Sequence, residues 1–256
     1  MTQTPFTGIG VALVTLFEES GAVDDRATAD LAVQLAELGV RAVVVAGSTG
    51  EASTLDAAER RSLVAAVRSG VPVGVPVIAG VGAATGRQAA AYTTDAVDAG
   101  ADAVLALSPP RVPDPRLYYE TVAKAAGDVP LLAYHFPAVS SPGINVDLLP
   151  ELPIAGIKDS SADPERLLIE LDRLDGAIYV GSSVMLTMAG AVGADGAILT
   201  LANCAPELCV AAYGGDALAQ RQLLATHLRG SRNFPAGIKS LVAERFGTPT
   251  TARVGT

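Results

Sequence analysis

The stretch AELGVRAVVVAG, residues 36–47, sets the reading of the whole chain. A polar and apolar helical pattern runs into Gly39, and an unbroken Val-rich run follows at once. Glycine suits the left-handed backbone that closes a helix, and a short β-branched run without polar alternation predicts a strand buried on both faces. The same unit returns as VDAGADAVLALS at 97–108 and as GAVGADGAILTLA at 190–202. A helix closed by glycine and followed directly by a buried strand is the repeat of an α/β protein with parallel strands.

Working outward from these three copies, strands are predicted near 9–16, 41–46, 75–80, 102–108, 130–135, 154–158, 177–181 and 196–200. Helical patterns separate almost all of them. Asp24 and Asp56 read as helix starts, the latter with Glu59 three residues on as in a capping box, and Pro164 and Pro206 suit first-turn positions. Between the fifth and sixth strands, NVDLLPEL leaves room for little more than one helical turn. Eight such units predict a (β/α)8 TIM barrel over 1–213. Residues 214–256 are expected to form a shortened C-terminal helical segment packed on the same domain, with one long helix over 205–227 and a last one from Ile238 to Phe246. The competing fold is an open doubly wound sheet, but its glycine fingerprint is broken, since Thr85 follows Gly80-Val81-Gly82-Ala83-Ala84.

Composition excludes several functions. A net charge of −9 with scattered arginines offers no basic face for a phosphate backbone, so no nucleic-acid partner is expected. No apolar run reaches the roughly 18 to 20 residues that span a bilayer and no N-terminal signal pattern is present, so a cytoplasmic protein without membrane association is expected. Cys204 and Cys209 match neither a disulfide framework nor a zinc pattern, and His135 and His227 are the only histidines, so no metal is expected.

A barrel keeps its chemistry at the carboxyl ends of its strands. There the chain places Thr15, the turn Gly47-Ser48-Thr49-Gly50-Glu51, Gly80, Ser108, Tyr134 with His135, Lys158 with Asp159, Gly181-Ser182-Ser183, and Thr200 with Asn203. Lysine is scarce in this sequence, occurring only as Lys124, Lys158 and Lys239. At the end of an apolar strand, in GIKDSS (156–161), Lys158 would be partly desolvated, which lowers an amine's pKa and frees it to attack a carbonyl. The other reading of Lys158 is a rim lysine paired with Asp159. Tyr134 ends the preceding strand, so a barrel puts its phenol on the same rim, placed to move a proton at an imine; its plain alternative is a core tyrosine. The GSTGE turn could cradle a small carboxylate or a phosphate with backbone N–H groups and two hydroxyls. Glu51 is read as a group that orients this loop. His135 is read as a packing residue, and Arg111 as a solvated loop residue or a contact to an acidic substrate.

In order along the chain, GSTGEASTLDAAE (47–59), VPVIAGVGAATGRQAAAYTTDAVDAGADAVLALSPP (75–110), LLAYHFP (131–137), GIKDSS (156–161) and GAILTLANCAPEL (196–208) resemble the dihydrodipicolinate synthase and N-acetylneuraminate lyase family. The resemblance covers nearly all of 7–213. It implies a (β/α)8 barrel and a Schiff-base, pyruvate-dependent aldolase or lyase without a metal or organic cofactor. It assigns the imine to Lys158, proton transfer to Tyr134, and the hold on the pyruvate carboxylate to Ser48 and Thr49, with Ser48 linked to Tyr134. Gly50 and Ile198 are expected beside them in the substrate site. It also implies a homo-oligomer, dimer or tetramer, although the shortened helices fall on parts that commonly build the assembly.

The chain departs from the family's synthases at two places. PAVSSPG (137–143) lacks the arginine that grips the distal carboxylate of aspartate semialdehyde, and Pro110-Arg111 stands where two tyrosines are usual. The expected activity is therefore cleavage or formation of a carbon–carbon bond in a 2-keto-3-deoxy sugar acid or a 4-hydroxy-2-oxo acid. The competing activity is 4-hydroxy-tetrahydrodipicolinate synthesis; sialic acid lyases and hydratase-aldolases come behind it. A non-catalytic keto-acid binding protein is the alternative of a different class.

Overall fold

The computed structural model describes residues 4–255; the expected domain ends at 1 and 256 lie outside them. Eight parallel strands close into one barrel in chain order: β1 Gly8–Ala12, β2 Ala42–Val45, β3 Val77–Gly80, β4 Ala103–Leu107, β5 Leu131–His135, β6 Gly156–Asp159, β7 Ala177–Val180 and β8 Gly196–Leu199. Each predicted strand is present, and the first is shorter than expected. Leu13 N–H still donates to Val44 O of β2 at 3.0 Å, but the next residue leaves the ladder: Val14 N–H donates to the side chain of Asn203 at 3.0 Å instead of to a neighbouring strand.

The helices outside are α1 Asp25–Glu37, α2 Ala57–Gly70, α3 Gly86–Asp98, α4 Arg116–Ala126, α5 Pro164–Arg173, α6 Leu186–Val192 and α7 Pro206–Tyr213, followed by α8 Ala217–Ser231 and α9 Ala236–Phe246. The start signals act as read. The Asp24 carboxylate accepts from Ala27 N–H, and Asp56 with Glu59 forms a reciprocal capping box. Pro164 and Pro206 sit in the first turns of α5 and α7. The glycines that close the repeats take the left-handed backbone, with φ of 98° at Gly39, 93° at Gly100 and 91° at Gly193. Between β5 and β6 only a 3₁₀ turn, Val146–Glu151, covers the barrel.

One expectation is corrected. The long helix expected over 205–227 is two helices, α7 and α8, broken at Gly214-Gly215; Gly215 has φ of 101°, and Asp216 then caps α8 through its carboxylate. No helix among the described residues is long and apolar enough to cross a membrane.

Alternation along the strands divides two apolar cores. Val43, Ala133, Ile157 and Val180 face the helices, whereas Val44, Leu105, Leu132, Tyr179 and Ile198 fill the barrel interior. Phe6 stacks on Tyr179 with ring centroids 4.3 Å apart and closes the interior from one end. Gly156 is required where it stands, because a Cβ there would lie 2.3 Å from the Ala177 carbonyl of β7.

Candidate active site

The site is assembled by strand register. Tyr134 pairs with Lys158 across β5 and β6, one level above the pair Leu132 and Gly156. Leu132 fills the barrel interior, so two residues on, Tyr134 and Lys158 project inward too. His135 and Asp159, one residue further, face the helices.

This alternation separates the two readings of Lys158. Asp159 does not pair with it; its Oδ2 lies 3.0 Å from Arg166 Nε, and its Oδ1 accepts from Ser161 N–H at 2.6 Å. Lys158 is 6% exposed, forms no ion pair among the described residues, and holds Nζ 4.2 Å from the centre of the Tyr134 ring. Lys239, the other buried lysine, is by contrast in contact with Glu51. An amine with no carboxylate beside it is the one free to act as a nucleophile.

Above Lys158 opens a cavity of about 430 Å³. Ser48 and Thr49 line it in the turn after β2, Tyr134 and Phe136 at the end of β5, Ser160 after Lys158, Ser182 and Ser183 after β7, and Leu199 to Leu201 from the end of β8 onward. Lys158 is the only charged side chain among the described residues that line it. A small anion entering the cavity meets the Lys158 amine and a ring of hydroxyls. Among the described residues no cluster of three or more His, Cys, Asp and Glu side chains is arranged to hold a metal ion.

The hydroxyl pairing differs from expectation. Thr49 Oγ1 lies 2.8 Å from Thr200 Oγ1, which ties the β2 turn to the end of β8. The Tyr134 hydroxyl accepts from Ser160 Oγ at 3.5 Å, so the neighbour expected in Ser48 is supplied by the residue just after β6. Gly181 makes room for it, since a Cβ there would lie 1.8 Å from Ser160 Oγ. Ser160 continues the inward set Gly156, Lys158, and the period of two would have found it.

Of the expected substrate contacts, Ser48 and Thr49 line the cavity and Gly50 and Ile198 do not. Gly50 lies under the turn, its carbonyl accepting from Thr15 Oγ1 at 2.7 Å. Ile198 is wholly buried in the barrel interior, because inward β8 residues below the rim pack against other strands. Arg111 is exposed and stands outside the lining, its backbone N–H donating to Ser141 O at 2.6 Å. His135 packs as read: it is buried, and Nδ1 accepts from Ile144 N–H at 2.9 Å. Burial, then the Arg166 charge, push its pKa down to about 4, against the pull of Asp159.

Two contributions carry no local signal in the sequence. The segment of α8 and the turn beyond it brings His227, Ser231 and Phe234 to the cavity mouth. Glu51, just past the cradle, is buried against Lys239 of α9 at 2.5 Å.

The chain has counterparts among known proteins. A sequence profile described as "Dihydrodipicolinate synthetase family" matches residues 5–228. The chain is 36% identical over 226 residues to a 4-hydroxy-tetrahydrodipicolinate synthase of Salinibacter ruber, covering 82% of this chain and 74% of that one. It superposes with a TM-score of 0.89 on the chloride-inhibited dihydrodipicolinate synthase of Acinetobacter baumannii complexed with pyruvate, at 30% identity, covering 99% of this chain and 93% of that one. With YagE of E. coli K12, a prophage protein of the dihydrodipicolinic acid synthase family in complex with pyruvate, the TM-score is 0.90 at 26% identity, over 98% and 92% of the two chains.

Proposed function

The chain belongs to the dihydrodipicolinate synthetase family of class I, imine-forming aldolases and lyases, and from that premise we propose that it cleaves or forms the C3–C4 bond of a 2-keto-3-deoxy sugar acid or 4-hydroxy-2-oxo acid through an imine on Lys158. The observation that carries this is the buried Lys158 amine against the Tyr134 ring, with no ion pair and no other lysine, arginine or carboxylate on the cavity lining among the described residues.

The substrate carboxylate sits among the hydroxyls of Ser48 and Thr49, beside Lys158. Lys158 Nζ, as the neutral amine, attacks the C2 ketone, and uptake of a proton with loss of water leaves a protonated imine. Tyr134 takes the proton of the C4 hydroxyl, with Ser160 as its hydrogen-bond neighbour. The C3–C4 electron pair moves into the imine as an enamine, and the aldehyde leaves. Protonation at C3 and addition of water release pyruvate and the free lysine. Each step runs in reverse for synthesis. The lysine imine is the electron sink, so the chemistry calls for no further cofactor.

A second reading is condensation of pyruvate with aspartate semialdehyde, favoured by the names of relatives such as the Salinibacter synthase. That aldehyde carries a second carboxylate at its far end, and among the described residues the lining offers no arginine and no lysine beyond Lys158 to receive it. The neutral lining supports the sugar-acid reading.

The test is to incubate the protein with pyruvate, reduce with borohydride and locate the adduct by peptide mass spectrometry. Labelling at Lys158 is expected; labelling absent or elsewhere overturns the proposal. Release of pyruvate from a panel of 2-keto-3-deoxy acids, set against condensation with aspartate semialdehyde, separates the two activities.

A further inference from the structure

His227 comes from α8, outside the barrel proper, yet its side chain lines the same cavity as Lys158. It is held in place from two directions. Its Nδ1 lies 3.0 Å from Ser183 Oγ, on the loop after β7. Seven residues earlier, on the same face of α8, Gln220 donates through Nε2 to the Ser183 carbonyl at 2.8 Å and accepts from Thr187 N–H at 3.0 Å. Two side chains of one helix thus clamp one loop, and Ser183 itself is buried. A ring held in this way keeps one nitrogen for Ser183 and leaves Nε2 for a ligand, as donor or acceptor according to the tautomer.

The surroundings of His227 define what that ligand group can be. Ser182, Ser183, Ser231 and Phe234 stand with it on the lining, and none carries a charge. Hydroxyls and a single imidazole suit neutral hydroxyl groups, while a carboxylate or phosphate would find no lysine or arginine beyond Lys158 among the described residues on this lining. Phe234, 44% exposed at the mouth, offers an apolar face to the carbon chain.

We propose that His227, fixed by Ser183, determines specificity by hydrogen-bonding the hydroxyls beyond C4 of the substrate, and so selects polyhydroxylated 2-keto-3-deoxy sugar acids over short 4-hydroxy-2-oxo acids. The proposal rests on the reading of Lys158 as the imine-forming residue. His227 takes no part in the bond cleavage.

The experiment compares cleavage of a 2-keto-3-deoxyhexonate, which has hydroxyls at C5 and C6, with cleavage of 4-hydroxy-2-oxopentanoate, which has neither. Pyruvate trapping at Lys158 is the internal reference. His227→Ala is expected to lower the hexonate-to-pentanoate ratio of kcat/KM about tenfold, the effect of one lost hydrogen bond to a substrate hydroxyl, chiefly through KM. Ser183→Ala is expected to move the same ratio in the same direction by less, and His227→Gln to recover part of it. Equal losses on both substrates, no loss on the hexonate, or a wild-type enzyme that prefers the pentanoate would each overturn the proposal while trapping stays intact. Absence of trapping in the wild type overturns the imine reading and this proposal with it.

Discussion

Lys239 of the last helix and Glu51 of the β2 turn form a fully buried ion pair, Nζ to Oε1 2.5 Å, directly behind the Ser48 and Thr49 cradle. Glu51 takes the left-handed backbone, with φ of 55°, and its Oε2 accepts from the backbone N–H groups of Arg253 and Val254 at 2.7 and 2.8 Å. Lys239 in turn donates to Thr251 O at 2.6 Å. Burial pushes the Lys239 pKa down and the bond to Glu51 opposes it. The cradle is thus anchored to the far end of the chain.

Removing one partner of such a pair leaves the other buried and uncompensated. Lys239→Met is expected to cost on the order of 3 to 5 kcal/mol in denaturant unfolding, and to raise KM for pyruvate in the folded fraction. Lys239→Met combined with Glu51→Gln is expected to cost less than the two single losses summed, which a double-mutant cycle reads directly.

The Tyr134 ring and its hydroxyl do separate things. Tyr134→Phe keeps the ring beside Lys158 Nζ and removes the proton carrier, so borohydride trapping of pyruvate should persist while turnover falls by roughly 10²-fold or more. Ser160→Ala is expected to lower turnover by less, because its 3.5 Å contact is at the limit of a hydrogen bond.

Two glycines should fail differently. At Gly181 an added Cβ meets the Ser160 hydroxyl most closely, then the Ser160 Cβ at 2.9 Å and Asp159 O at 3.1 Å, so Gly181→Ala is expected to displace Ser160 and lower turnover, with a smaller loss of Tm than at Gly156. At Gly156 the added Cβ meets the Ala177 carbonyl of the next strand, which cannot yield without opening the barrel. Gly156→Ala is expected to lower Tm sharply or abolish folding, measured by thermal melts of the two variants side by side.

Behind β6, Glu170 is wholly buried, with Oε1 2.8 Å from Arg166 Nε. Burial first, and the Asp159 charge second, push its pKa up from 4.5 to about 8, against the pull of Arg166. The folded state therefore favours the protonated acid. This stability is complete below 4.5 and is lost as pH rises toward about 8. Glu170→Gln removes the titration and leaves Arg166 its contact with Asp159. The Tm of the variant relative to wild type should rise across that window; a constant difference would count against the assignment. His135, depressed to about 4, contributes in the opposite sense: its share is present above the ordinary value of 6.5 and lost as pH falls through about 4.

Strand positions and helix caps were legible because they depend on short-range order: left-handed glycines at 39, 100 and 193, acids at 24 and 56, prolines at 164 and 206. The error at 205–227 was also local. Helical periodicity on either side of Gly214-Gly215 hid a break that one left-handed glycine suffices to make. Alternation was enough to turn Lys158 and Tyr134 to one face, and the same rule extends to Ser160.

By itself, the sequence determined the barrel, the two strand ends that bring an amine and a phenol together, and the resemblance that attaches imine chemistry to them. Only the tertiary structure decided that Asp159 turns away from Lys158 to Arg166, that Ser160 stands beside the Tyr134 hydroxyl, and that Ile198 lies beneath the cavity. It alone brought His227 and Lys239 from the last helices to the two sides of the site. The physical reason is distance along the chain. Alternation and capping act over a few residues and leave a periodic mark, whereas contacts such as Glu51 with Lys239 and Ser183 with His227 exist only once the barrel has closed and the last helices have docked.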